Sequence, residues 1–277
     1  MKRIHIVTTT FNDAHKYLME TMESVKNQKL IDKNIELKHT IVDDGTDNEE
    51  SLKQLEIIKK KFDVSIIRQA NQGLAGARNT GILNYDSDFV FPLDSDDLIS
   101  ADFFQKIGEL ILNNDFKNSL IFTNWKSFGK YKRNMKVKLP TAYTIRYANY
   151  LPVSSLIPTE ILTKYKYDRQ MNLGFEDWEL WIRLICGGIK LSHLEFYGFF
   201  HREQKNNLTS KAFLNFKKNY EYIRSKNKEF YTNEYETWSK NNFPPDLVDY
   251  LKISIDPRYK FFIIQNLLIL KNIFNFQ

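Results

Sequence analysis

Short apolar segments alternate with segments of helical periodicity along the first half of the chain, and this alternation limits the possible folds more than any other feature. We predict that the apolar segments are β-strands; they are Arg3–Thr10, His39–Asp44, Val64–Gln69, Asp88–Asp94 and Ser119–Trp125. Between them, apolar residues recur at intervals of three and four, which is typical of amphipathic helices. This order predicts an α/β fold in which a mainly parallel sheet is flanked by helices.

The first predicted helix carries Leu18, Met22 and Val25 on one face, and Asp13 is placed to act as its N-cap. The other predicted helices are marked by Leu52, Leu55, Ile58 and Phe62, by Leu74–Tyr85, by Phe103, Ile107, Leu110 and Ile111, and by Gly174–Leu184. No internal repeat interrupts this pattern.

Polar residues follow three of the predicted strands at the point where each strand ends. They are Thr8–Phe11, the pair Asp43 and Asp44, and Asp94–Asp97. In open parallel sheets, ligands bind beyond the carboxyl ends of the strands. The sequence therefore predicts a polar binding site at one edge of the sheet.

The tripeptide Asp94-Ser95-Asp96 places two carboxylates two residues apart. In an extended segment their side chains would point the same way, and both could reach one Mg²⁺ or Mn²⁺ ion whose other ligands are phosphate oxygens and water. The alternative is that Asp96 and Asp97 cap the helix that begins near Phe103, with no metal involved.

Two groups of basic residues are candidates for phosphate binding. Arg78 lies in the glycine-containing segment Asn71–Gly81, which matches neither a P-loop nor a dinucleotide-binding pattern. His201 and Arg202 follow an apolar run, and His201 is also a candidate metal ligand. The alternative for each is an ordinary surface side chain.

Glu176 and Asp177 open the helix-like segment that also carries Trp178 and Trp181. A carboxylate in an aromatic environment can have a raised pKa and act as a general base. The alternative is that both acids simply stabilise the start of a helix through its dipole.

Composition excludes some classes of protein and favours others. The single cysteine, Cys186, excludes an internal disulfide framework and indicates a reducing compartment. The N-terminus has no secretory signal and no segment is apolar enough to span a membrane, so we expect neither. The net charge of +6 favours anionic partners, and Lys130–Lys138 is predicted to be a basic, exposed hairpin or loop.

The segment Lys260–Phe276 is strongly apolar and is interrupted by a few polar residues. It fits a helix that either lies in a membrane interface or packs on the protein's own core or on a partner subunit. The pair Pro244–Pro245 is the best candidate for a boundary before it.

Five motifs together resemble family 2 glycosyltransferases with the GT-A fold. In order they are IVTTTFN (Ile6–Asn12), IVDDGTDN (Ile41–Asn48), NQGLAGARNTGI (Asn71–Ile82), FPLDSDDL (Phe91–Leu98) and GFEDWELWIRL (Gly174–Leu184). The resemblance implies an inverting enzyme that moves a sugar from a nucleoside diphosphate sugar, usually a UDP-sugar, to an acceptor hydroxyl.

The resemblance also implies roles for individual residues. The donor nucleotide sugar would contact Thr9, Thr10, Phe11, Asp44, Arg78, Asp94, Ser95 and Arg202. Mn²⁺ or Mg²⁺ would be held by Asp96, with Asp94 and His201 as further ligands. Asp177 would be the catalytic base, with Glu176 as the second choice.

On this basis residues 1–210 are expected to form the catalytic domain, with a nucleotide-sugar half (1–100) and an acceptor half (101–210). Residues 211–277 are expected to form a helical extension that contacts a membrane surface or a partner. The resemblance further implies a glycan or lipid-linked glycan acceptor, bacterial cell-surface polysaccharide synthesis, a cytoplasmic location at the inner face of the membrane, and no nucleic-acid partner.

Three other functions compete with this one. A nucleotidyltransferase would have a glycine-rich basic loop after its first strand, where this chain has Thr8–Asp13. A nucleic-acid-binding module would face repulsion from the aspartates at the strand ends. A catalytically inactive carbohydrate-binding relative is disfavoured because both the Asp94/Asp96 pair and the Glu176/Asp177 pair are present.

Overall fold

In the computed structural model, the described residues are 1–29, 32–172, 174–204 and 212–243. The predicted boundary at Pro244–Pro245 and the predicted apolar segment Lys260–Phe276 lie outside the described residues. Both therefore stay predictions.

The five predicted strands and the five predicted helices are confirmed, with bounds that differ by a few residues. In chain order the strands are β1 (Lys2–Thr10), β2 (Ile35–Asp43), β3 (Ser65–Arg68), β4 (Phe89–Pro92), β5 (Leu98–Ile99), β6 (Ser119–Gly129), β7 (Arg133–Met135), β8 (Ile157–Pro158) and β9 (Lys190–Glu203). The helices are α1 (Leu18–Lys26), α2 (Glu49–Lys61), α3 (Gly73–Ile82), α4 (Phe103–Asn113), α5 (Thr159–Tyr165), α6 (Glu176–Cys186), α7 (Phe216–Lys226) and α8 (Asn233–Asn242), with 3₁₀ turns at Thr144–Arg146 and Lys228–Tyr231.

The first sheet has five strands in the order β3-β2-β1-β4-β8, and its first four strands run parallel. Only β8 at one edge of this sheet is antiparallel. The central strand β1 buries Ile4, Ile6 and Val7 almost completely, as expected for a strand covered on both faces. The predicted α/β fold with a mainly parallel sheet is thus confirmed.

A second sheet, in the order β5-β9-β6-β7, was not predicted as a separate layer. Strand β6 pairs in parallel with β9 along most of its length, although β9 begins only at Lys190. The antiparallel pair of β6 and β7 confirms that part of Lys130–Lys138 forms a hairpin. The pattern of apolar residues predicts where each strand lies but not which sheet it joins. A strand's sheet depends on its pairing with strands that are distant in sequence.

Helix α3 lies unusually close to the first sheet because small residues form its inner face. A Cβ atom on Gly81 would overlap the Val7 side chain and would lie 3.2 Å from a methyl group of Val42. Ala77, one turn earlier, is fully buried. The same close packing brings the neighbouring Arg78, which is also buried, toward the carboxyl edge of the strands.

The predicted N-cap of the first helix is wrong. Helix α1 is preceded by Tyr17, and no side chain caps its first turn. Instead, the carboxylate of Asp13 accepts a hydrogen bond of 2.7 Å from the Thr10 hydroxyl. Asp13 therefore holds the end of β1. Its carboxylate takes the hydrogen bond of the nearby Thr10 hydroxyl in place of a bond from the first amides of α1.

The described part of the predicted C-terminal extension packs against the acceptor half. Trp178 of α6 stacks on Tyr220 of α7 with ring centroids 5.7 Å apart. Arg146 is fully buried and donates to the Phe230 carbonyl and to the Ser239 hydroxyl, at 2.8 and 2.9 Å. These contacts join residues on both sides of position 210, and the division into two units stays a prediction.

Among the described residues, no helix combines the length and the apolar character that a membrane crossing requires.

Two buried histidines hydrogen-bond across the β1–β2 pair, which yields a prediction for stability. His39 Nε2 and Thr8 Oγ1 are 2.9 Å apart, and burial lowers the pKa of His39 to about 3. The unfolded state therefore binds a proton below about pH 6.5 that the folded state does not bind, so His39 destabilises the fold as pH falls. Between about pH 7.5 and pH 5 this costs roughly 2 kcal/mol.

In the wild type, the unfolding free energy should fall between about pH 7.5 and pH 5. In His39→Gln this fall should be smaller by roughly 2 kcal/mol, because the variant lacks the buried imidazole. Urea unfolding at both pH values measures it. His15→Gln, at a partly exposed ring, serves as the control. Parallel pH dependences for wild type and His39→Gln would contradict the prediction.

Candidate active site

The ends of β1 and β2 meet at the carboxyl edge of the first sheet. Thr10 is paired with Asp43, and the amide of Asp44 donates to the Thr10 carbonyl at 2.9 Å. Asp44 is buried, and its Oδ1 accepts from the Gln69 side chain at 2.6 Å and from the Gln72 amide at 2.9 Å. These two donors hold the Asp44 carboxylate in one orientation.

Of the other residues predicted to contact the nucleotide, Thr9 and Thr10 are buried, whereas the Phe11 side chain is 48% exposed. Directly after Phe11, Asn12 adopts a left-handed conformation with a φ of 58°. Its side-chain oxygen accepts from the amides of Asp47 and Asn48 at 2.9 and 3.0 Å. Asn12 thereby fixes the loop after β2 to the loop after β1 and leaves the Phe11 ring at the surface of the edge.

The segment Asp94–Asp97 is a turn, so the prediction that it is extended is wrong. The Asp97 amide donates to the Asp94 carbonyl at 3.2 Å, which closes the turn, and the Ser95 carbonyl accepts from the Thr21 hydroxyl at 2.9 Å. The side chains consequently have different partners. Asp94 and Asp96 therefore do not point the same way by the alternation of an extended strand.

Asp97 does not cap the helix near Phe103, because strand β5 intervenes and Asp102 occupies the N-cap position of α4. The Asp97 carboxylate is buried instead, and it accepts from the Arg202 amide at 2.8 Å and contacts His201 Nδ1 at 3.2 Å. Burial opposes a charge on His201, but the Asp97 carboxylate outweighs it and raises the pKa of His201 to about 9. Asp97 thus supports the neighbouring His201 and the backbone of Arg202 and does not cap a helix.

Asp96 lies beside this pair. Its Oδ2 accepts a hydrogen bond of 2.5 Å from the Gln204 side chain. Burial, together with the negative charges of Asp97 and Asp94, raises the pKa of Asp96 to about 7. A carboxyl group held in this way gains more from a nearby cation than an exposed carboxyl group does.

Arg78 is the most heavily paired cation of the site. Its guanidinium contacts Asp94 at 2.7 Å and Glu176 at 2.5 Å, and the Arg78 side chain is only 3% exposed. Burial opposes the charge, but the two carboxylates together raise the pKa of Arg78 above its ordinary value. Arg78 therefore links the end of β4 to the start of α6, two points distant in sequence.

Helix α6 begins at Glu176, after Phe175 in a left-handed conformation. Asp177 follows in the first turn, where its Oδ1 accepts from the Trp178 amide at 2.7 Å and its Oδ2 accepts from the Asn149 side chain at 2.9 Å. Burial, together with the negative charge of the neighbouring Glu176, raises the pKa of Asp177 to about 7. Asp177 can therefore exchange a proton near neutral pH.

Arg202 is held between two aromatic rings, with its guanidinium carbon 4.1 Å from the centroid of Tyr17 and 4.4 Å from that of Phe128. It also donates to the Asp96 carbonyl at 2.8 Å and pairs with Glu20 at 2.9 Å. Arg202 thus fixes the turn that carries Asp96.

The structure brings the predicted residues together in two contact groups at this edge. One contains Arg78, Asp94 and Glu176, with Asp177 next to it, and the other contains Asp96, Asp97, His201 and Arg202. In the described residues no three side chains of His, Cys, Asp or Glu are arranged to hold a metal ion.

Sequence reasoning did not single out three residues that contact the predicted site: Gln69, Asn149 and Gln204. Gln69 ends a predicted strand and Gln204 follows Arg202, so their positions carried a weak signal. Asn149 lies in an irregular segment, and no sequence pattern pointed to it.

Comparison with known proteins places the site in context. The family model described as glycosyl transferase family 2 matches residues 5–171. An uncharacterized glycosyltransferase of Methanocaldococcus jannaschii is 27% identical over 273 residues, which is 92% of this chain and 90% of that protein. The poly(ribitol-phosphate) beta-N-acetylglucosaminyltransferase TarP of Staphylococcus aureus is 37% identical over 103 residues, which is 36% of this chain and 30% of TarP.

Among solved structures, S. aureus TarS 1-349 in complex with UDP-GlcNAc superposes with a TM-score of 0.66. The match covers 94% of this chain and 78% of that chain, at 15% sequence identity. This likeness shows that the two chains share the GT-A fold.

The buried position of Arg78 yields a prediction. Arg78→Met removes the cation between Asp94 and Glu176 and leaves the buried Glu176 carboxylate without its partner. Breaking a buried ion pair in this way costs roughly 3–5 kcal/mol, which urea unfolding would detect.

The double variant Arg78→Met/Glu176→Gln should recover part of that loss, because it no longer buries an unpaired charge. Arg3→Met, which removes an exposed contact with Asp86, should unfold like the wild type. If the unfolding free energy of Arg78→Met were unchanged, the ion pair would not stabilise the fold.

Proposed function

The chain belongs to glycosyl transferase family 2, and on that premise we propose that it transfers a sugar from a UDP-sugar to an acceptor hydroxyl with inversion at the anomeric carbon. The glycosyltransferase activity follows from the family. The UDP-sugar donor is supported by two relatives: TarP is named an N-acetylglucosaminyltransferase, and TarS was solved with UDP-GlcNAc. UDP-GlcNAc is accordingly the first donor to test.

The observation that carries the proposal is the Arg78 bridge between Asp94 and Glu176. It holds the predicted donor-binding end of β4 against the first turn of α6, where Asp177 lies. The sugar of a donor bound at Asp94 would therefore lie near Asp177, and an acceptor hydroxyl could approach the sugar from there. In this proposal Asp44, Thr9, Thr10 and Phe11 contact the nucleotide.

Asp177 is the proposed general base. Its raised pKa lets the carboxylate take the proton of the acceptor hydroxyl while that oxygen attacks the anomeric carbon. The bond from the sugar to the diphosphate breaks on the opposite face, and UDP leaves with the bonding electron pair. Glu176 is less suited to this role because its carboxylate already pairs with Arg78.

Residues beside the proposed sugar site suit the leaving diphosphate. His201 is held as a cation by Asp97, and Arg202 adds a second positive charge close to the turn of Asp96. Fixed cations of this kind stabilise negative charge that develops on a leaving group. Because His201 carries a proton in this arrangement, it would have to lose that proton before it could ligate a metal.

The residues at this turn fit a divalent cation. Asp96 is a buried carboxyl whose pKa is raised by burial and by the nearby Asp97 and Asp94, so a cation would relieve the repulsion. Asp96 and Asp94 would hold Mn²⁺ or Mg²⁺, with phosphate oxygens and water as the remaining ligands. When bound, such an ion would polarise the diphosphate and offset its charge.

The proposed acceptor is a glycan or a lipid-linked glycan of a bacterial cell-surface polysaccharide, reached at the inner face of the membrane. A cytoplasmic location and a membrane or partner contact through Lys260–Phe276 belong to the same proposal, and that segment lies outside the described residues.

The first test replaces the proposed base. Asp177→Asn should lower transfer by about 10²–10⁴-fold, because the amide cannot take the acceptor proton, while UDP affinity measured by calorimetry should change little. Asp115→Asn makes the same chemical change in an exposed loop and is the control. Wild-type turnover in Asp177→Asn would exclude Asp177 as the base.

The pH profile is a second readout of the same prediction. Protonation of Asp177 removes the base, so kcat/KM should fall about tenfold per pH unit below about pH 7, measured with Mn²⁺ at saturation so that Asp96 stays ionised. A profile that is flat down to about pH 5.5 would contradict the assignment.

The second test concerns the metal. EDTA should abolish transfer by the wild type, and Asp96→Asn should raise the Mn²⁺ concentration needed for half-maximal activity by at least about tenfold, as for loss of one ligand. Activity would be followed as released UDP over a titration of MnCl₂, with Asp115→Asn as the control. Full wild-type activity in EDTA would exclude a metal mechanism.

A further inference from the structure

The hairpin formed by the end of β6 and by β7 is strongly basic. Its eleven residues from Lys126 to Lys136 include no acidic side chain. The cations of this segment, here called the basic hairpin, are Lys126, Lys130, Lys132, Arg133 and Lys136. The proposed transfer reaction gives the basic hairpin no role.

The basic hairpin adjoins the proposed active site. In the β6–β9 pairing, Ser127 lies opposite His201 and Phe128 lies opposite Arg202, and the Lys130 amide donates to the Glu203 carbonyl at 3.2 Å. His201 and Arg202 are the residues that contact Asp97 and the turn of Asp96. The basic hairpin therefore begins where the proposed diphosphate site ends.

Its conformation is fixed by the backbone. The Ser127 hydroxyl donates to the Tyr131 carbonyl at 3.1 Å, across the turn. Gly129 has a φ of 89°, and a Cβ atom there would lie 2.9 Å from the Glu203 carbonyl oxygen. The turn therefore depends on glycine at position 129. Because its backbone is already fixed, a ligand could bind the hairpin without the free-energy cost of ordering the turn.

Among the described residues, no neighbouring carboxylate neutralises the charges of the basic hairpin. Within the part of the chain that the structure describes, none of its five cations has a carboxylate within 4.0 Å, and Lys130 and Lys132 are exposed. Tyr131 is 46% exposed, and two of these cations lie over its ring: Lys130 Nζ is 4.6 Å from the ring centroid and the Arg133 guanidinium carbon is 5.2 Å from it. An exposed aromatic residue with cations held against its ring suits a glycan that carries anionic groups.

We propose that the basic hairpin binds the acceptor, and that the acceptor is a glycan with repeated anionic groups. This inference rests on the proposed function and adds the chemical class of its acceptor. The charged groups of the glycan contact the five cations, a sugar ring packs on Tyr131, and the next sugar reaches the active site edge.

A polyanionic glycan fits better than three other anionic partners that a basic surface attracts. Asp96, whose charge is not offset by a cation in the described residues, lies beyond the base of the hairpin and disfavours a continuous phosphate backbone such as that of DNA, whereas a glycan can present a neutral sugar there. A flat membrane surface would leave the exposed Tyr131 side chain without a sugar partner. The donor diphosphate is too small to reach five cations spread over eleven residues.

The test compares two triple variants with the same change in charge. Lys130→Gln/Lys132→Gln/Arg133→Gln alters the basic hairpin, and Lys53→Gln/Lys59→Gln/Lys60→Gln alters the exposed face of α2. Fluorescence anisotropy with labelled dextran sulfate, and with neutral dextran as the uncharged match, measures affinity at about 0.05 and 0.15 M salt.

We expect the hairpin variant to bind dextran sulfate at least about tenfold more weakly than the wild type at the lower salt concentration, and the α2 variant to lose less than about twofold. Wild-type binding should weaken at the higher salt, and neutral dextran should bind weakly to all three proteins. UDP affinity should be the same in all three, because the altered side chains lie outside the nucleotide site.

Equal losses in the two variants would overturn the proposal, since net charge alone would then explain binding. Tighter hairpin-dependent binding of duplex DNA or of phosphatidylglycerol vesicles than of dextran sulfate would overturn it in favour of those partners. A loss of UDP affinity in the hairpin variant would assign the hairpin to the donor. The proposed function fails on a different assay, namely absence of UDP-GlcNAc turnover in the wild type.

Discussion

The arrangement of the site depends on one buried cation, the Arg78 guanidinium between Asp94 and Glu176. Two carboxylates this close together repel each other, and the Glu176 side chain is buried, so a cation between them offsets both charges. Arg78 supplies that partner from α3, which lies against the sheet because Gly81 has no side chain. The first turn of α6, and with it Asp177, is consequently held at the carboxyl edge of the first sheet.

The crowding of acidic groups at this edge is resolved differently for each of the three aspartates. Asp94 is paired with Arg78, and Asp97 is paired with His201 and with a backbone amide of β9. Asp96 has only the neutral Gln204 amide, so burial and its neighbours raise its pKa. Asp96, the one of the three whose charge is not offset by a cation in the described residues, is thus the first of the two proposed metal ligands.

The second half of the chain is tied to the same edge by packing as well as by charge. Trp178 stacks on Tyr220, and the buried Arg146 holds the carbonyl of Phe230 and the hydroxyl of Ser239. Helix α6 therefore carries the proposed base on one end while its aromatic side chains form the core with α7. A change in the core between α6 and α7 would alter the orientation of α6 and thereby the position of Asp177. The basic hairpin is held by its pairing with β9.

The sequence by itself determined the α/β class, the five strands and helices, the family and the strand-end aspartates, because these follow from hydrophobic periodicity and from short local motifs. Only the tertiary structure decided the partners of those residues. It showed that Asp94–Asp97 is a turn, that Asp13 serves β1 rather than α1, and that β6 joins β9 in a second sheet. These outcomes depend on residues far apart in the chain: Arg78 meets Glu176, and Asp97 meets His201. The energy of such contacts comes from burial and charge compensation in the folded state, and neither is visible in the spacing of residues along the chain.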